Sequence, residues 1–62
     1  MKKMCYYVEC DSAAELAINE IRDRIPCFIN TKLSIDGEYM TFEIECREQD
    51  IPFVERMIAP FV

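Results

Sequence analysis

Two runs of alternating residues flank Asp36-Gly37, and they restrict the fold more than any other feature of this chain. Upstream the sequence reads Ile29, Thr31, Leu33 and Ile35 at every second position; downstream it reads Met40, Phe42, Ile44 and Cys46, with polar or charged residues between. A period of two over both runs means two strands with one buried face each. Asp36-Gly37 tolerates the positive φ angles of a two-residue type I′ turn, so a β-hairpin is expected with Ile35 opposite Glu38. Leu33 then faces Met40, Thr31 faces Phe42 and Ile29 faces Ile44, all on one side of the sheet. A slip of one residue would turn every apolar side chain outward, so the pattern itself selects the register. The other face receives Phe28, Asn30, Lys32, Ser34, Tyr39, Thr41, Glu43 and Glu45, with Lys32 opposite Thr41 and diagonal to Glu43.

Upstream, Met4, Tyr6, Val8 and Cys10 alternate with Cys5, Tyr7 and Glu9, a strand rich in aromatic and branched types. Ser12 and Glu15 match the spacing of a capping box, which predicts a helix from about Ala13 to Ile25. Ala14, Ala17, Ile18, Ile21 and Ile25 fall on one stripe of it, and Leu16 lies on the polar side. Pro26 ends the helix. After Cys46, Arg47 to Asp50 form a polar connector. Asp50 is positioned to cap a second helix that accepts Pro52 in its first turn. Ile51, Val54, Ile58 and Phe61 make its apolar face, and Pro60 closes it.

The order strand, helix, strand, strand, helix predicts one α+β domain over residues 1–62. It is a two-layer sandwich of a three-stranded antiparallel sheet, ordered 1-3-2, with both helices on one face. The arrangement resembles a ferredoxin-like unit without its last strand, a likeness of fold that carries no function with it. Without a fourth strand the first strand is an open edge, and Cys5 to Val8 hold no charge or proline to discourage pairing there. Either Phe61 and Val62 fold back as a short strand, or two subunits join. A homodimer through the open face or the first-strand edge is the expectation, because Tyr7, Phe28 and Tyr39 also stand on the uncovered face.

A chain of 62 residues buries only about 60% of its unfolded surface, which makes help from a partner subunit unsurprising. The net charge of −5 and the scatter of the basic residues argue against nucleic-acid binding. Glu43 and Glu45, with Glu9 and Asp11 nearby, form a candidate acidic patch for a basic protein surface. The opening residues have the positive charges of a signal peptide, but the apolar run stops at Glu9, too short for its hydrophobic region. No window approaches transmembrane length. A cytoplasmic protein with free thiols is therefore expected.

No cofactor and no catalytic group are implied. The chain has no histidine, no nucleophilic serine turn and no phosphate-binding glycine loop, and no base stands near a cysteine in sequence. A second reading uses thiols: Cys27 falls opposite Cys46 in the hairpin, with Cys5 as a possible third ligand, for metal or redox chemistry. In a type I′ hairpin, however, the Cys27–Cys46 site is a hydrogen-bonded pair, wider than a disulfide prefers. The cysteine spacing also lacks the paired knuckles of zinc sites. A third reading places a small molecule at a dimer seam. The leading expectation is a small acidic protein-interaction module that binds through Tyr7, Phe28, Tyr39, Glu43 and Glu45.

Overall fold

The computed structural model describes residues 1–62. Three strands, β1 (Lys2–Glu9), β2 (Cys27–Leu33) and β3 (Tyr39–Cys46), form one antiparallel sheet in the order β1-β3-β2. Helix α1 (Ser12–Arg24) joins β1 to β2, and α2 (Ile51–Ile58) follows β3. Both helices lie on one face, as the period-two pattern requires. Val8, Met40, Phe42, Ile44 and Cys46 from that face of the sheet are buried with Ala14, Ile18 and Ile21 of α1 and Val54 and Ile58 of α2. No buried side-chain polar atom lacks a partner, so the core meets the usual demand that such groups be hydrogen-bonded. No helix is long and apolar enough to cross a membrane.

The hairpin register is the expected one, with Leu33 opposite Met40, Thr31 opposite Phe42 and Ile29 opposite Ile44. The turn is not. Ser34 N–H donates to Tyr39 O at 2.9 Å and Gly37 N–H donates to Ser34 O at 3.1 Å, so the loop is Ile35 to Glu38 and not Asp36-Gly37 alone. Only Gly37 has a positive φ, at 74°, whereas a type I′ turn would also require one at Asp36. Side chains hold this longer loop: Ser34 Oγ donates to Asp36, and Asp36 Oδ1 accepts from Glu38 N–H at 3.0 Å. Tyr39 N–H, which would otherwise close the ladder, donates to Ser34 Oγ at 3.1 Å. These bonds hold the Asp36 carboxyl below its ordinary value, the Ser34 contact most of all. Ile35 leaves the core pattern and is fully exposed.

Adding one residue to each side of the turn preserves which residues face each other but exchanges bonded pairs for non-bonded ones. Tyr39 bonds Ser34 on the β2 side, and Glu38 O accepts from Cys10 N–H at 2.8 Å on the β1 side. Bonded pairs alternate along an antiparallel ladder. Odd-numbered β3 residues therefore bond β2, and even-numbered ones bond β1. Cys27 does stand opposite Cys46, but in a non-hydrogen-bonded pair, the closer of the two types. The expectation of a wide, strained site is overturned by the loop length.

Helix α1 begins one residue earlier than expected. Its cap is Asp11, whose side chain accepts from Ala13 N–H at 2.9 Å, and Ser12 is already helical. Asp11→Ala is expected to cost about 1 kcal/mol and Ser12→Ala only a few tenths, read as shifts of the urea midpoint. Equal losses would contradict the assignment of the cap. The second helix start also differs: Asp50 makes no side-chain cap bond, because its carboxylate pairs with Arg47 Nε at 2.8 Å across a short 3₁₀ turn, Glu48–Asp50. After α2, Pro60 sits in a 3₁₀ turn, Ala59–Phe61. Phe61 and Val62 do not supply a fourth strand, and β1 remains an edge.

Candidate interaction surface

The uncovered face of the sheet is built from the odd-numbered residues of β1 and β3 and the even-numbered residues of β2. Three cross-strand rows define most of it: Lys3–Glu45–Phe28, Cys5–Glu43–Asn30 and Tyr7–Thr41–Lys32. Tyr39 follows, opposite Glu9. Tyr7 and Tyr39 lie diagonally across β1 and β3, with ring centroids 5.0 Å apart and planes inclined by 12°, an offset stack of the kind aromatic pairs prefer. Tyr7 remains 62% exposed and Phe28 70%.

The sequence-selected residues thus divide into two groups. Tyr7 and Tyr39 form a stacked platform at one end of the sheet, where Phe61 and Val62 also line a depression of about 260 Å³. Phe28 stands at the other end, on the far edge, where it lines a shallow depression of about 330 Å³ with Lys3, Asn30, Glu43 and Glu45.

Glu43 is not a free acid. It stands on the central strand and reaches Lys3 on β1 at 3.2 Å and Lys32 on β2 at 3.3 Å, with its own side chain only 20% exposed. Hydrogen bonds from Lys3 and then Lys32 hold its carboxyl below the ordinary value, and Glu43 in turn raises Lys3. A depressed carboxyl stabilises the fold above the unfolded value and loses that contribution as pH falls through the folded one. The Lys32 contact follows from the hairpin register. Lys3 has no such sequence signature, because its place beside Glu43 depends on the alignment of β1 with a strand more than thirty residues away. With two lysines against Glu9, Glu43 and Glu45, the face is mixed in charge and not an acidic patch.

The thiols also divide. Cys5 lies on the uncovered face opposite Glu43, while Cys27 and Cys46 lie on the helix-covered face. Cys5 is therefore separated from the other two by the sheet itself, and no group of three potential metal-ligating side chains is assembled. Cys46 is buried and Cys27 half-buried. Burial raises both thiols; Asp50 adds to the rise at Cys46, and Arg22 opposes it at Cys27. Cys10 is exposed beyond the end of β1. The arrangement offers a surface of rings, paired charges and a free strand edge, together with one adjacent pair of thiols. Comparison with known proteins finds no matching family model, no matching curated protein and no matching solved structure.

Proposed function

We propose that this chain is a small acidic protein-interaction module of the cytoplasm that acts by binding and not by chemistry, and that it self-associates as a homodimer through its open sheet face or its β1 edge. The observation that carries this is the exposed Tyr7 ring stacked on Tyr39 beside an unpaired strand. Large rings stiffened by each other lose little conformational freedom on binding, and aromatic side chains are enriched at interfaces for that reason. A two-fold interface would cover the platform of both copies at once. Because Glu43 is already paired with lysines, a second copy fits this mixed surface better than a strongly basic partner does. Exposed Cys5 and Cys10 suit a reducing compartment. Light scattering under reducing conditions should give the mass of a dimer, and Tyr7→Lys should return the mass of the single chain. A wild-type monomer at all concentrations would refute self-association.

A second reading, a thiol redox protein, draws support from the adjacency of Cys27 and Cys46 in a non-hydrogen-bonded pair. Cys5 takes no part in it.

A further inference from the structure

The β1 edge is complementary to itself in one register, and we infer that it is the seam of the homodimer: two β1 strands pair antiparallel around a two-fold axis that passes between the Tyr6 residues of the two copies. This rests on the self-association proposed above and names the surface that performs it.

The hydrogen-bond parity of the sheet sets the first constraint. Even-numbered β1 residues bond β3, as Cys10 N–H to Glu38 O shows, so Lys3, Cys5, Tyr7 and Glu9 direct their N–H and C=O groups outward. A second β1 can bond them only through its own odd-numbered residues. That permits only registers in which odd faces odd, and it keeps the helix-covered faces of both copies on the same side. The ladder from Lys2 to Glu9 pairs residue for residue with β3 and contains no proline, so the edge is straight and continuous.

Charge selects among the permitted registers. With Tyr6 on the axis, Lys3 lies opposite Glu9 of the second copy at both ends of the ladder. Cys5 lies opposite Tyr7 and Met4 opposite Val8, and no like charges meet. Shifting by two residues in one direction sets Lys3 against Tyr7 and abolishes both ion pairs. Shifting the other way sets Cys5 against Glu9 and leaves Lys3 beyond the end of the ladder. Lysines commonly protect an edge from unwanted pairing. Here the basic residues stand at one end of β1 and Glu9 at the other, so antiparallel reversal turns that protection into attraction. The resulting sheet runs without interruption from β2 of one copy to β2 of the other. Phe28, on β2, stays far from the seam.

The test is the dimer dissociation constant, measured by sedimentation equilibrium of the full chain under reducing conditions. Glu9→Lys and Lys3→Glu should each weaken the dimer roughly tenfold or more, since each sets like charges opposite one another twice. The combined Lys3→Glu and Glu9→Lys variant should recover most of the wild-type affinity, although Lys3 loses its Glu43 contact. Asn30→Lys, on the uncovered face of β2 away from the seam, should leave the constant unchanged. Circular dichroism of each variant establishes that it is folded, and Cys5→Pro gives an independent check. It removes an outward N–H that β3 does not use, so it should abolish the dimer while the monomer stays folded. A dimer broken by Asn30→Lys but indifferent to the charge exchange would overturn the edge seam and leave face-to-face self-association standing. A wild-type monomer would overturn both.

Discussion

Phe42→Ala is expected to be the most destabilising single substitution in the protein. Phe42 lies at the middle of the central strand, 1% exposed, between Tyr6 on β1 and Thr31 on β2, and it belongs to the single cluster that joins both helices to the sheet. Truncating a buried phenylalanine costs about 3 to 5 kcal/mol, through lost transfer energy and the cavity left behind. A chain of this length has a total stability of only roughly 3 to 9 kcal/mol. The one substitution therefore removes between about a third of the whole margin and all of it. Urea titration followed by circular dichroism should show a native baseline shortened or absent, with Leu16→Ala, at a 69% exposed position, staying within about 0.5 kcal/mol of wild type. A Phe42→Ala midpoint close to wild type would mean that the core does not close around this ring.

Oxidation is expected to produce the largest gain. In a background with Cys5→Ser and Cys10→Ser, incubation with oxidised glutathione should join Cys27 to Cys46. One thiolate attacks the glutathione disulfide and releases one glutathione thiolate; the second cysteine attacks the mixed disulfide and releases the other. Two protein thiols are oxidised, and one small disulfide is reduced to two thiols. The bond closes a loop of about 20 residues, worth about 3 kcal/mol of stability and a rise in melting temperature of roughly 20 °C. It should form slowly at neutral pH and faster as pH rises, because burial raises both thiols and leaves little thiolate. Mass spectrometry should find the loss of two hydrogens and a single 27–46 cross-link. A persistent glutathione adduct with no cross-link would show that the pair cannot close.

The sequence and the structure agree where a pattern repeats and part where one local group decides. The strand order follows from the right-handed crossover of β1, α1 and β2, and the hairpin register and the division of the sheet into a covered and an open face follow from alternation in β1, β2 and β3. So do the sides on which Tyr7, Phe28 and Tyr39 stand. The turn was not legible, because Asp36-Gly37 carries the signature of a short hairpin while Ser34 and Asp36 together stabilise a longer one. Asp11 and Ser12 are both good cap residues, and the Glu15 spacing favours the wrong one. Asp50 is drawn away from its helix by Arg47. The Tyr7–Tyr39 stack and the Lys3–Glu43 contact each join strands distant in sequence. They depend on the β1–β3 register, which no turn between those strands announces.

The chain contains three tyrosines and no tryptophan, so the stacked pair dominates its optical behaviour. Tyr7 and Tyr39 absorb on the open face as coupled chromophores, while Tyr6 reports separately from beneath the helices, its phenol raised by burial and by the charge of Glu55. Near-ultraviolet dichroism therefore reports on the stacked pair of the open face without any added label. A partner that covers the open face perturbs the coupled signal, and loosening of the core perturbs the isolated one.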